Sequence, residues 1–406
     1  MRQDFDSEGL FSEHTGLEYF RGMGTPAVTS KLPSVGTTIF TVMSGLANET
    51  GAINLSQGFP GFPVSGELID LVNQAMRAGH NQYAPMPGIM GLREQISDKM
   101  EGLYGHRYDP NHEITITAGG TQALFSAITA FVQPGDEVIV LEPAYDSYIP
   151  AIQLAGGVPV PVALQAPDFR PDWSEVRSKC TSRTRLIIIN TPQNPTGMVF
   201  TEEDMQALLS ITRDTDILIL SDEVYEHILL DGHSHRSVAS YPGLAERSLV
   251  VFSFGKTYHA TGWKCGYVLA PAELMREFRK VHQFTVFSVN TPLQYALADF
   301  MKERSHYSGL PAFYQAKRDL FRKLIAQSRF RILPCHGSYF QLLDYSTITN
   351  EVDTEFAKQL TRSHGVASIP VSVFYTTPPA NQRLLRFCFA KEDHMLEAAA
   401  ERLCAV

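Results

Sequence analysis

The chain has 406 residues, 44% of them hydrophobic, enough apolar material for two or more packed domains and too much for a predominantly disordered protein. Its 34 basic and 43 acidic residues leave a net charge of -9 without a long block of like charge, which argues against a nucleic-acid or anionic-membrane partner while leaving room for a small anion in a local positive pocket. Cys180, Cys265, Cys335, Cys388 and Cys404 are odd in number, scattered and free of any C-x-x-C pair, so neither a disulfide framework nor a metal site is indicated and a reducing cytoplasm fits.

Residues 1–30 carry acidic side chains where a signal peptide needs positive charge, and no run of about 18 apolar residues occurs to span a bilayer. A loosely held arm is expected there. From Ile114, apolar β-rich runs alternate with helical patterns: ITITAGG and TQALFSAITAFV, then DEVIVLEP, RLIIINTP, ILILSDEV, SLVVFSFG and GYVLAP, ending at Pro271. That alternation predicts a mainly parallel sheet with helices on both faces. Thr201-Glu-Glu-Asp204 reads as an approximate capping box opening a helix. The stretch from about Pro292 to Ala326 is helical in pattern, and the remainder mixes short strands, SYFQLLDY and RLLRFCFA, with helices, as a smaller α+β domain would.

Each strand of the central block ends in a polar cluster, and the ends of parallel strands converge on one rim. After ITIT stand Gly119, Gly120, Thr121 and Gln122. Glycines there let a backbone approach a ligand, and N–H groups at a helix start favour an anion, although the same residues also suit a plain turn. The loop Asn190 to Gly197 holds two asparagines in a turn stiffened by Pro192 and Pro195. Asp222, at the end of ILIL, is costly to bury without a cation, whether that cation belongs to the protein or to a ligand.

The run SLVVFSF delivers Ser253, Lys256, Thr257 and Lys264. Gly255-Lys256-Thr257 mimics the end of a nucleotide phosphate loop, but Val250 stands where the first glycine of that loop belongs. A lysine leaving a buried strand beside Tyr258 and Trp263 is instead a candidate for desolvation, which lowers its pKa and makes the amine a Schiff-base nucleophile. Arg386, in the apolar strand LLRFCF, needs a bidentate partner, either a protein carboxylate or that of a substrate. One ligand satisfies all these clusters: an aromatic aldehyde phosphate whose ring nitrogen meets a carboxylate, whose aldehyde meets a lysine and whose phosphate meets a helix start. That ligand is pyridoxal phosphate.

The motifs NPTG (Asn194–Gly197), SDEVY (Ser221–Tyr225) and SFGKTYHATGWKCGY (Ser253–Tyr267), with SKLPSVGTTIF, NLSQGFPGFP, NQYAPMPG, YDSY and FSVNTP, resemble those of the fold-type I pyridoxal-phosphate-dependent aminotransferases of class I/II. Within that superfamily they look like the subgroup of bacterial methionine and kynurenine or glutamine-type aminotransferases. The resemblance runs from about Lys31 to the C-terminus. It implies a seven-stranded, mainly parallel sheet sandwiched by helices in a large domain, residues 61–291, with a smaller α+β domain made of residues 31–60 and 292–406.

It also implies roles. Lys256 would join the cofactor and shuttle a proton, Asp222 would hold the ring N–H, and Tyr225 and Asn194 would bond the ring hydroxyl oxygen while Tyr145 stacks on the ring. Gly120, Thr121, Gln122, Ser253 and Lys264 would hold the phosphate, with Tyr83 reaching over from a partner subunit. Arg386 and Asn194 would take the substrate carboxylate, helped by the backbone near Gly58. The implied activity moves an amino group between an apolar, aromatic or sulfur-containing L-amino acid and a 2-oxo acid, in a cytoplasmic homodimer with shared active sites and no metal. A cysteine-conjugate carbon–sulfur β-lyase is the alternative on the same fold. No second arginine is identifiable for a dicarboxylate, and Phe40, Tyr83, Tyr145 and Phe374 read as an apolar or aromatic wall.

Overall fold

The computed structural model describes residues 28–406, so the expected N-terminal arm falls almost wholly outside the described residues; the description below concerns the compact unit Val35–Val406. Seven strands, β1 (Ile114–Thr117), β2 (Glu137–Glu142), β3 (Val158–Ala163), β4 (Thr184–Asn190), β5 (Leu218–Asp222), β6 (Ser248–Ser253) and β7 (Gly266–Leu269), form one sheet in the order β1-β7-β6-β5-β4-β2-β3. The pairs β2–β3, β2–β4, β4–β5 and β5–β6 are parallel, and β7 runs against both of its neighbours. All strands except β3 are buried almost throughout, because helices cover both faces and unbroken apolar runs are what such strands require.

The periodicity marks six of these strands and misses β3. Its sequence, VPVPVA, contains Pro159 and Pro161 and is partly exposed, which places it at the sheet edge where proline is tolerated. The helix start at Thr201 is as read. Asp204 N–H donates to the Thr201 hydroxyl, the Asp204 carboxylate accepts from Thr201 N–H at 2.7 Å, and the helix Glu202–Thr212 follows.

A second, antiparallel sheet is built from β8 (Arg331–Ile332), β9 (Phe340–Asp344), β10 (Ile369–Pro370) and β11 (Leu384–Cys388), in the order β10-β11-β9-β8. The helical stretch before it comprises Thr291–Phe300, Ser305–Ser308 and Leu310–Leu324. Ile53–Asn54 pairs in parallel with Val366–Ala367, and Cys388 N–H donates to the Leu55 carbonyl at 2.8 Å. These bonds carry the segment Gln57–Phe59 to the carboxyl ends of the large sheet.

Candidate active site

In β4, β5 and β6, Asn190 lies level with Asp222, and Asp222 with Val251, so the turns after these strands open on one rim, where α/β sheets bind ligands. A cavity of about 330 Å³ lies there, within the size range of small-molecule sites. Gly58, Gly120, Thr121, Tyr145, Asn194, Asp222, Tyr225, Ser253, Lys256 and Lys264 all line it, together with Phe40, Phe59, Leu124, Asp146 and Phe340.

Four of the sequence-predicted residues stand apart from this lining: Phe374, expected in the apolar wall, packs against the Arg386 guanidinium instead, and the others are Gln122, Tyr83 and Arg386. The Gln122 side chain accepts from Ala118 N–H at 3.0 Å and donates to the Ser126 hydroxyl at 2.7 Å, so it turns back along its own helix. Tyr83 is 81% exposed, its ring edge-on to Phe287 at 5.1 Å. Arg386 is buried directly behind the wall, donating from Nη1 to Asn194 Oδ1 at 2.8 Å and from Nη2 to the Ser56 carbonyl at 3.0 Å. Its guanidinium lies 4.0 Å over the Phe340 ring and 5.3 Å from both Phe40 and Phe374, and its Nε has no hydrogen-bond partner among the described residues.

Two groups in the lining carry charge at a cost. Asp222 is 4% exposed and receives the Tyr148 hydroxyl at 2.7 Å and a long contact from Val224 N–H at 3.4 Å. Burial outweighs these donors and pushes its carboxyl up to about 6. Lys256, in a short helical turn after β6, donates to the Gly58 carbonyl and the Tyr339 hydroxyl, each at 3.0 Å. Desolvation holds its amine down at about 8. Both residues belong to one cavity, the arrangement on which the whole sequence reading depends.

At the far end stands an open helix start. Gly119 caps the helix Gly120–Phe131 with φ 81° and gives it no side-chain cap, leaving first-turn N–H groups free for an anion. A side chain at Gly119 would meet the Lys264 amine at 3.5 Å, and one at Gly120 would meet Val224 at 3.2 Å. The missing Cβ atoms thus leave a narrow cradle beside a cation.

Sequence reasoning missed Tyr148 and Tyr339. Tyr148 closes YDSY, yet no signal tells which way its hydroxyl points, and Tyr339 sits in an apolar run where aromatics read as core. Asn190 was seen in its loop. The structure adds that its side-chain amide donates to the Asp222 carbonyl at 2.8 Å while its Oδ1 accepts from Asn194 N–H at 2.8 Å, stitching two strand ends together.

The sequence matches the family profile described as "Aminotransferase class I and II" over residues 50–403. The chain belongs to that family. This aminotransferase is 52% identical to a methionine aminotransferase of Escherichia coli over 92% of the chain and 97% of the relative. It is 36% identical to human kynurenine–oxoglutarate transaminase 1 over 88% of the chain and 93% of the relative. A crystal structure of an Escherichia coli protein with a methionine aminotransferase function superposes with a TM-score of 0.91, at 51% identity, over 94% of this chain and all of that one.

Membership in the class I and II aminotransferases implies pyridoxal phosphate, and the donor set fits it. The open helix start beside Lys264 suits a phosphate, Asp222 forms no ion pair among the described residues and so suits a protonated ring nitrogen, and Lys256 presents an amine to an aldehyde.

Proposed function

We propose that the aminotransferase moves the amino group of a methionine-like, aromatic or kynurenine/glutamine-like L-amino acid onto a 2-oxo acid at this cavity. The observation that carries the reading is a desolvated amine, Lys256, and a desolvated carboxylate, Asp222, on one lining. Pyridoxal phosphate would be held at its phosphate by Gly120, Thr121, the Gln122 backbone, Ser253 and Lys264, and at its ring by Asp222, Tyr225, Asn194 and Tyr145, with Lys256 at its aldehyde. Bound there, it supplies a sink for the electron pair left when the substrate α-carbon loses its proton.

The protein groups do the rest. Asp222 holds a proton on the ring nitrogen, because a buried carboxylate stabilises a neighbouring cation strongly. Lys256 Nζ, its pKa lowered by desolvation to about 8, takes the α-proton and returns it. Arg386 and Asn194 take the substrate carboxylate, aided by the backbone at Gly58. For the side chain, Phe40, Phe59, Leu124, Tyr145 and Phe340 offer apolar walls, and Asp146 adds a carboxylate to the lining, unfavourable to a second carboxylate on a substrate. Apart from Arg386, bonded to Asn194 behind the wall, no arginine stands at the lining among the described residues.

We also infer a cytoplasmic homodimer in which the exposed Tyr83 serves the phosphate end of the second subunit's cavity, and a division into a large domain (61–291) and a small one (31–60 with 292–406). Among the described residues, no helix is long and apolar enough to cross a membrane. Stopped-flow mixing of the holoenzyme with each of the twenty amino acids, following the cofactor's visible absorbance, tests the substrate class. Methionine, glutamine and aromatic donors are expected to react fastest, and a preference for aspartate would overturn the reading. Pyruvate and ammonia released from cysteine conjugates without an acceptor would identify the β-lyase instead.

A further inference from the structure

Lys256 Nζ lies 3.0 Å from the Tyr339 hydroxyl and 3.0 Å from the Gly58 carbonyl oxygen, and the Tyr339 hydroxyl lies 2.7 Å from that same carbonyl. Chemistry fixes the directions in this triangle. A carbonyl only accepts, so the phenol gives its one proton to Gly58 and turns its lone pairs toward Lys256, which donates to both oxygens.

Neither oxygen is free to wander. Tyr339 is fully buried, edge-on to Tyr225 at 5.2 Å and to Phe340 at 4.9 Å. Its carbonyl accepts from Phe389 N–H at 3.0 Å, and the preceding Ser338 N–H donates to Ile228 at 2.9 Å. Gly58 is equally confined: a side chain there would meet Phe340 Cζ at 3.0 Å, and Arg386 Nη2 holds the Ser56 carbonyl just before it at 3.0 Å.

We propose that Tyr339 is a positioning residue for Lys256: its hydroxyl and the Gly58 carbonyl form a fixed two-oxygen seat that orients the free ε-amine for proton transfer. The inference rests on Lys256 being the base of the proposed function. Around that amine, Arg386 from β11 and Lys264 from the segment before β7 oppose its protonation, while Cys388 from β11 and Asp222 from β5 favour it. Tyr339 adds a neutral acceptor aimed at Nζ, which stabilises the ammonium form. It does not act by ionising, because burial and then the neighbouring Tyr225 push its phenol well above the ordinary range.

The test is the exchange of the α-proton of L-methionine into heavy water, followed by NMR over a pH series with the holoenzyme. In Tyr339→Phe the acidic limb should move to lower pH by about half to one unit, because the ammonium has lost an acceptor. The plateau rate should fall about ten-fold, with KM for methionine changed less than about three-fold. Site-specific 3,5-difluorotyrosine at position 339 keeps the hydroxyl but weakens it as an acceptor, and should move the limb the same way by less. It decides the matter if Tyr339→Phe does not fold.

The cofactor-free full-length chain gives a readout without turnover, since the pH dependence of its covalent capture of added pyridoxal phosphate should shift likewise. Superimposable pH profiles overturn the proposal, and so does a lower plateau with an unmoved limb, which lost packing alone would produce. Undiminished exchange in Lys256→Ala would instead overturn the reading of Lys256 itself.

Discussion

Asp222 and Glu226 are two buried carboxylates at opposite ends of the turn after β5, and the fold treats them oppositely. Glu226 is met by Lys99, by the Tyr104 hydroxyl at 2.6 Å and by His227 Nε2 at 3.4 Å, and Lys99 also donates to the Tyr267 hydroxyl at 2.8 Å. Burial pushes the Glu226 carboxyl up, but the Lys99 ammonium and the hydrogen bonds from Lys99 and Tyr104 outweigh it and hold it below the usual carboxylate range; His227 beside it is held neutral by burial, down at about 3. Asp222 has too few donors, and burial wins. The lysines differ in their partners, Lys99 facing a carboxylate and Lys256 two neutral oxygens, although burial lowers the pKa of both. Buried charge alone is therefore no mark of a site; buried charge left uncompensated is.

Substitutions can break that contrast. Lys256→Ala should lower transamination at least ~10⁴-fold and abolish covalent retention of the cofactor, measured by steady-state assay and by absorbance after gel filtration. Glu226→Gln should act on the fold instead, costing about 3–5 kcal/mol in urea denaturation because Lys99 is left buried without its counter-charge. Asp222→Asn should slow α-proton loss about 10²–10³-fold in single-turnover spectra.

The same Asn variant should stabilise the cofactor-free chain. The folded-state pKa of Asp222, about 6, lies above the ordinary aspartate value of 3.8, so the folded chain binds the extra proton. Stability from this group therefore falls as pH rises through that window, by on the order of 2–3 kcal/mol, and thermal melts on either side of the window should show Asp222→Asn gaining only at the higher pH. The smallest effect is expected for Lys99→Met with Glu226→Leu, which removes both partners and should leave stability within about 1–2 kcal/mol of wild type.

The same contrast explains what the sequence could reveal. Asp222, Lys256 and Arg386 were legible because each is a charge embedded in or just after an apolar β run, a placement that demands a partner. Six strands of the large sheet were legible as apolar, β-rich runs for the related reason that both their faces are covered. Strand β3 was not, since two prolines disguise an edge strand as a loop. Tyr339 and Tyr148 were not, because a tyrosine shows in sequence only its ring, and its hydroxyl acquires meaning from neighbours far along the chain. Gln122 lies at the helix start where the sequence puts it, but its side chain bonds Ala118 and Ser126 rather than lining the cavity, an orientation that the 3.6-residue period does not determine.

Those two prolines have a further effect. The outer border of the large sheet would otherwise present a row of amide hydrogens to any extended peptide that drifted past, and Pro159 and Pro161 delete two of them. Copies of this chain therefore cannot readily zip together along β3 into a continuous ribbon.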